Sequence, residues 1–356
     1  MTTINKYSFI KAIGSGGEGV VWIAKNNEDN IYYAIKIISK STLLTSRCVE
    51  KCIEERNILE SITHPYINET YYAMQDSLSL YYVSNLCNDN LYNVQKRYFD
   101  GKPLPENLSL LYCSQLHSVL KYLHDENIVF RDLKLENILI DQVGHVRLTD
   151  FGLATKCDSN TKLSGIYGTP EYMSPEMIKE EPYDYLVDYW AFGIVMYELY
   201  TGYSPFTAES NVELFSNILL NTPKYSNIVA VDKNTVIDII SKLLSKDPSH
   251  RKSFIYNLTY HPFYRDIDWV KINYKTYKSI FIPNRMDVTV PKDYADVKNM
   301  FKPFAREKKV FKSPSADMVH PTGISPNNTK KYTLPDKSLI KKCKNTHPVV
   351  VCELQK

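Results

Sequence analysis

The sequence predicts an α+β fold in two lobes, a small antiparallel β lobe carrying one main helix and a larger, mainly helical lobe. Three observations lead there. At 356 residues, 44% hydrophobic and 23% charged, the chain has ordinary globular composition and is too long for one small core. Its early residues read as strands interrupted by a single helical stretch. Beyond residue 90 the apolar period turns mainly helical, punctuated by Pro205, Pro223 and Pro248.

Residues 9–13, 20–24 and 31–38 are rich in the β-branched and aromatic residues of strands, with a glycine cluster in the first connection and the polar turn Asn26-Asn27-Glu28-Asp29-Asn30 in the second. Over residues 46–62 the period changes. Cys48, Cys52, Glu55, Leu59 and Ile62 share one stripe when each residue advances about 100°, so an acid sits on the apolar face of a helix. Past His64-Pro65, residues 67–74 and 80–83 read as two further strands, and 85–90 as the polar connector between lobes. Residues 108–124 form a long amphipathic helix; 137–141 and 145–149 are short strands joined by Gln142-Val143-Gly144. Residues 150–182 read as loop and 183–263 as helices. After residue 265 the composition is that of an extended, partly disordered tail.

Charge and cysteine usage exclude several classes. From residue 298 onward 12 Lys and one Arg face two Asp and two Glu, so the tail is basic within a chain of net charge +3. It reads as a solvated extension, or as an electrostatic contact surface weakened by salt. The seven cysteines are odd in number and include no Cys-x-x-Cys pair, so neither a disulfide framework nor a zinc site is signalled. No apolar run approaches the roughly 20 residues of a membrane-spanning helix, and residues 1–7 lack a basic stretch leading into an apolar one. A cytoplasmic or nuclear monomer with no nucleic-acid partner is expected.

Gly14-Ser15-Gly16-Gly17-Glu18-Gly19 satisfies G-x-G-x-x-G, which removes Cβ atoms where backbone amides must approach phosphates. A glycine-rich hairpin turn would explain the motif alone, and the strand-like residues after Gly19 argue against a dinucleotide fold, which needs a helix there. Lys36 lies on a strand amid apolar neighbours, with Ala34 on its face. A buried ammonium needs an anion, and inward-facing Glu55 can supply it. Residues 129–137, Val-Phe-Arg-Asp-Leu-Lys-Leu-Glu-Asn, pack acids, bases and an amide between apolar flanks, an arrangement suited to a polyanion and a metal. Asp150-Phe151-Gly152 offers another carboxylate at a strand end. Phosphoryl transfer needs these parts: Asp132 to orient or deprotonate a hydroxyl, Lys134 to neutralise the moving phosphoryl group, and Asn137 and Asp150 as hard oxygen ligands of Mg²⁺.

With Ser174-Pro175-Glu176 in the same order, these segments resemble a eukaryotic protein kinase over residues 7 to 265. The resemblance implies a bilobal protein-kinase fold with an N-lobe at 7–84, a hinge at 85–90, a C-lobe at 91–264 and a tail at 265–356. It implies ATP and Mg²⁺ as cofactors, protein substrates with Ser or Thr acceptors, and an upstream activating kinase. Nucleotide contacts fall to Ile13, Gly14, Gly16, Gly19, Val21, Ala34, Lys36, Ser84, Asn85, Cys87, Leu139 and Asp150, with Leu86 in the hinge and Ser84 as a small gate. Catalysis falls to Asp132, Lys134, Asn137, Lys36 and Glu55.

Lys134 and Gly168-Thr169-Pro170-Glu171-Tyr172 resemble the serine/threonine class, with Thr169 bracing Asp132 and Lys134. Asp188-Tyr189-Trp190-Ala191-Phe192-Gly193 looks like the central helix anchoring the catalytic loop, and Arg251 like the partner of Glu176. Phe130 and Asp268-Trp269-Val270-Lys271-Ile272 followed by Phe281-Ile282-Pro283 are similar to the AGC group, the relatives of protein kinase A. Tyr294 would then be a nucleotide-site tether, and Phe301-Lys302-Pro303-Phe304 either a hydrophobic motif or an incidental aromatic pair. Ile166, Pro170 and Met173 would form an apolar subsite, and Glu136 and Glu198 would receive an upstream arginine, an acid expected after the hinge being Asn90 with Asp89 beside it. The usual activation-loop threonine falls at Gly165, leaving Ser164 or Thr161 as the nearest hydroxyls; phosphorylation is expected at Ser164, received by Arg131, Lys156 and Lys51. Ser313-Pro314 and Ser325-Pro326 could be targets of proline-directed kinases. The alternatives are a catalytically weak or inactive kinase-fold scaffold, although Lys36, Asp132, Asn137 and Asp150 are all present, and a metabolic phosphotransferase, which seldom carries residues 169–176.

Overall fold

The computed structural model describes residues 4–16, 19–158 and 161–285. The small lobe is one antiparallel sheet of β1 (Tyr7–Gly16), β2 (Gly19–Asn26), β3 (Tyr32–Ser39), β4 (Thr70–Gln75) and β5 (Ser79–Asn85), ordered β1-β2-β3-β5-β4. Register sets its cavity-facing side. Val21 lies opposite Lys36, Lys36 opposite Tyr82, and Ala34 opposite Ser84, so the residues expected at the nucleotide site share one face. Helix α1 (Ser46–Ser61) starts where the Thr45 side chain accepts from Cys48 N, and buries Glu55 and Ile58.

The lobes are tied by backbone pairing. Leu148 N donates to Tyr66 O at 2.7 Å and Asn68 N to Leu148 O at 2.8 Å, so residue 67 bridges to the large lobe rather than opening β4, as the sequence had suggested. The expected connector ends in β6 (Asp89–Asn90), followed by α2 (Leu91–Phe99) and α3 (Glu106–Asp125). Next come β7 (Ile128–Val129), β8 (Ile138–Ile140), β9 (Val146–Leu148) and β10 (Thr155–Lys156), forming the sheets β6-β8-β9 and β10-β7. Helices α4 (Pro175–Ile178), α5 (Leu186–Thr201), α6 (Asn211–Leu220), α7 (Lys233–Leu243) and α8 (Pro248–Ile255) complete the lobe.

All sixteen residues of α5 are buried, which makes this helix the centre of the large core. Arg251 on α8 is fully buried and pairs with Glu176 on α4. Helix α4 and β10 fall within the stretch read as loop; Pro175 at the first helical turn and the paired Glu176 make the short helix possible.

The start of the tail is helical where extended chain was expected. Asp268 accepts from Val270 N and Lys271 N to open α9 (Trp269–Asn273), and Ile272 is buried, its carbonyl taking the Tyr66 hydroxyl at 2.6 Å. Beyond it the Phe281 ring lies 5.3 Å from Tyr98 and from Phe99, and Asn88 Nδ2 donates to Pro283 O at 3.1 Å. Residues 265–285 thus run from the base of the large lobe to the interlobe connector. Tyr294, Phe301, Phe304, Ser313 and Ser325 lie outside the described residues. Among the described residues no helix is long and apolar enough to cross a membrane.

Candidate active site

A cavity of about 580 Å³ opens between the lobes. Its roof holds Ile13, Gly14, Gly16, Gly19, Val21, Ala34 and Lys36, its back wall Thr70, Tyr82 and Ser84, its connector side Asn85, Leu86 and Cys87, and its floor Lys134, Asn137, Leu139 and Asp150. Every residue expected to contact nucleotide therefore lines one space, although Gly17 and Glu18 lie outside the described residues. Gly19 adopts φ +143, and a Cβ there would meet Ile37 O at 2.2 Å, so only glycine fits where β2 begins. Ser84 is half-buried, its hydroxyl 3.4 Å from Ala34 O. Burial pushes the Cys87 thiol up to about 12, which leaves it protonated and unreactive.

Strand pairing aims Lys36 inward, and two carboxylates meet it. Its Nζ lies 2.8 Å from Asp150 Oδ1 and 3.7 Å from Glu55 Oε1. Glu55 is buried and supplies the inward-facing anion expected for Lys36, so the ion pair ties α1 to β3, and Asp150 draws on the same ammonium. Tyr82 adds a second tie, its hydroxyl donating to Cys52 O at 3.1 Å.

The floor is built around Asp132. Lys134 Nζ and Asn137 Nδ2 each lie 2.8 Å from Oδ2, and the Thr169 hydroxyl donates to Oδ1 at 2.9 Å. Lys134 also donates to Thr169 at 2.7 Å, the brace expected from sequence. These donors hold the carboxylate in one orientation at the cavity edge. Gly168, at φ +97, lets the chain pass there, for a Cβ would approach Arg131 O to 2.5 Å.

The loop itself is strained. Arg131 at φ 67 and Asp150 at φ 65 both occupy the left-handed region, which costs a non-glycine residue on the order of 1–3 kcal/mol. Asp188 on α5, 1% exposed, opposes that cost. It accepts from Phe130 N at 2.9 Å, Arg131 N at 2.8 Å and His124 Nε2 at 2.8 Å. Phe130 then packs edge-on against Phe151, with ring centres 5.1 Å apart. His124 was not read from the sequence, since only folding brings it to Asp188.

Other expected residues are more scattered. Glu198 is buried and accepts the Tyr172 hydroxyl at 2.8 Å, while Glu136 is exposed. Desolvation, reinforced by Glu136 and Glu171 and opposed by Tyr172, pushes the Glu198 carboxyl up to about 8. Asp89 is engaged by Arg97 and Asn93, each at 2.8 Å. Met173 is buried, with Ile166 and Pro170 half-buried. Lys156 does not join the cationic cluster expected of it. Strand alternation turns Thr155 toward Glu54 and Lys156 to solvent, whereas Arg47 joins Arg131 and Lys51 around Tyr167.

A protein kinase domain family matches residues 7–264. The chain belongs to the protein kinase family. Over 288 residues it is 32% identical to the cAMP-dependent protein kinase catalytic subunit of Schizosaccharomyces pombe, covering 79% of this chain and 54% of that one. It is 35% identical over 294 residues to the serine/threonine-protein kinase Sgk1 of Danio rerio, at 81% and 66% coverage, and 32% over 318 residues to the protein kinase C eta type of Rattus norvegicus, at 86% and 44%. All three are AGC-group kinases, the group the tail and catalytic loop resemble. The chain spans about half to two thirds of the length of the curated relatives it matches.

Among the described residues no three His, Cys, Asp or Glu side chains cluster as a metal site. The donor set nevertheless suits Mg²⁺, which is commonly held by one or two protein oxygens together with substrate phosphates and water. Asn137 commits its amide nitrogen to Asp132, leaving the amide oxygen, and Asp150 contributes a carboxylate at the same cavity.

Proposed function

We propose that this kinase transfers the γ-phosphoryl group of ATP to serine and threonine hydroxyls of protein substrates. The observation that carries the reading is the convergence of Lys36, Asn137 and Asp150 on one interlobe cavity, with Asp132 held by three donors, Lys134, Asn137 and Thr169, that line the same space. Residues 7–84 form the lobe that covers the nucleotide, 85–90 the hinge and 91–264 the substrate-bearing lobe, with 265–356 as a tail.

Adenine lies between Val21 and Leu139 beside Ala34, with Ser84 behind it and Asn85 to Cys87 along its edge. Lys36, oriented by Glu55, grips the phosphates. Mg²⁺, held by Asn137 and Asp150 when bound, offsets phosphate charge. Asp132 accepts a hydrogen bond from the substrate hydroxyl and takes its proton as the new oxygen–phosphorus bond forms. The bond from the γ-phosphorus to the bridging oxygen breaks and ADP departs, while Lys134 balances charge on the group in transit.

Glu198 and Glu136 provide the acidic ground for an upstream arginine, and Ile166, Pro170 and Met173 an apolar subsite for the residue that follows the acceptor. The protein acts as a monomer. A reducing cytoplasmic or nuclear compartment goes with this reading, and Cys87, Cys113 and Cys157, buried thiols outside any disulfide, support it. Incubation of the full chain with γ-labelled ATP, Mg²⁺ and a mixed serine/threonine peptide library tests the proposal. Label on peptides is expected; nucleotide binding with no label would leave a scaffold, and label on small hydroxylated metabolites alone a metabolic phosphotransferase.

A further inference from the structure

Three cations from two parts of the chain meet one aromatic ring. The guanidinium carbon of Arg131 lies 4.4 Å and the Lys51 ammonium 5.0 Å from the Tyr167 ring centre, and Arg47 donates to the Tyr167 hydroxyl. Arg131 adjoins Asp132 in the catalytic loop and donates to Leu153 O at 2.7 Å, just past Asp150. Arg47 and Lys51 lie on α1, the helix that carries Glu55. Such cations repel one another unless a negative surface separates them, and the face of an aromatic ring provides one. Glu50 and Glu54 line the same cavity of about 350 Å³, but Glu54 already takes the Thr155 hydroxyl at 2.5 Å.

Two residues before the ring, Gly165 adopts φ +92, and a Cβ there would stand 3.0 Å from Tyr167 Cε2. Ring and glycine are therefore paired: a hydroxyl-bearing side chain at 165 would be both strained and crowded. Ser164, expected from the sequence to carry a phosphate, is exposed and lines the same cavity as the ring.

We propose that Tyr167 is a positioning residue whose ring serves as the neutral counterpart of a loop phosphate, clamping the catalytic loop to α1 so that the kinase is competent without activation-loop phosphorylation. The proposal deepens the function proposed above and rests on it. Tyr167 does not line the interlobe cavity. It acts through Arg131 on the setting of Asp132, and through Arg47 and Lys51 on the approach of Glu55 to Lys36.

The full chain, freed of phosphate by a broad phosphatase and checked by intact mass, is compared with Tyr167→Phe, Tyr167→Ala and a double variant, Thr161→Ala with Ser164→Ala. Rates are read as kcat and as KM for ATP, alongside hydrogen exchange over residues 46–55 and 161–168. The dephosphorylated parent and the double variant are expected to agree within about 2-fold, and Tyr167→Phe, which keeps the ring, to stay within about 3-fold. Tyr167→Ala is expected to lose about 10-fold or more in kcat with little change in KM for ATP, and to exchange faster in both segments. Tyr167→Leu, similar in bulk but without a π face, replaces alanine if that variant unfolds.

The proposal is overturned if dephosphorylation abolishes transfer and rephosphorylation restores it, if removal of the ring changes neither rate nor exchange, or if phenylalanine fails as badly as alanine. Should the parent transfer nothing in any state, the kinase reading falls, and exchange alone then decides whether the ring couples helix to loop.

Discussion

Replacing Asp188 by asparagine keeps the side-chain shape and removes one acceptor from a buried junction. The carboxylate accepts three hydrogen bonds of 2.8–2.9 Å, from Phe130 N, Arg131 N and His124 Nε2. The amide can satisfy Arg131 with its oxygen, but its NH₂ then faces the Phe130 N–H. A buried donor left unsatisfied costs about 1–3 kcal/mol. Replacing the ionised acceptor weakens the surviving bond by roughly 1 kcal/mol more. A total of about 2–4 kcal/mol corresponds to a fall in melting temperature of about 4–8 °C for a domain of this size. The same change releases Arg131 from its left-handed conformation, so kcat should fall further than the loss of folded protein explains. Thermal unfolding by circular dichroism, paired with steady-state peptide phosphorylation below the transition, measures both. A variant melting within a degree of the parent with undiminished kcat would show that the buried carboxylate neither supports the fold nor sets the loop.

Two other predictions concern specificity. A serine gate should admit adenine nucleotides bearing bulky N6 groups, and Ser84→Phe should weaken their binding about 10-fold or more by filling the back of the cavity while changing ATP affinity little; equal binding to parent and variant would misplace the hinge. Glu198, with its carboxyl pushed up to about 8 by burial, is mostly neutral at pH 7. It becomes a carboxylate as pH rises through that value, so KM for peptides with an upstream arginine should drop from pH 7 to 9 relative to arginine-free peptides. Glu198→Gln should erase the difference, and a parent whose ratio of KM values ignores pH would remove Glu198 from that role.

What could be read from the sequence was whatever is local. Lys36 on an alternating strand, Glu55 on the apolar stripe of α1, and the Asp132 to Asn137 segment are each defined by neighbours a few residues away, and folding brings them to one cavity. Features set by distant contacts were harder to see. Arg47 and Tyr167 stand 120 residues apart, and no spacing rule joins them. An aromatic residue just before Gly168 in a basic neighbourhood was the one available hint. Helix α9 was missed because it is only five residues long and sits in a stretch read as tail from its overall composition; Asp268 as a cap and the burial of Ile272 against α3 and Tyr66 decide it. Lys156 was assigned by charge alone, and the two-residue period of β10 sends it the other way.

The central claim is that separate stretches of chain assemble one centre for phosphoryl transfer to protein hydroxyls. It is tested most directly by comparing Mg²⁺-dependent labelling of a serine/threonine peptide by the parent and by Asp150→Asn, with both proteins shown to be folded. Robust labelling by the parent and a loss of about 1,000-fold in kcat for the variant is the result expected of a group acting at the phosphates. Equal rates from the two proteins would contradict it.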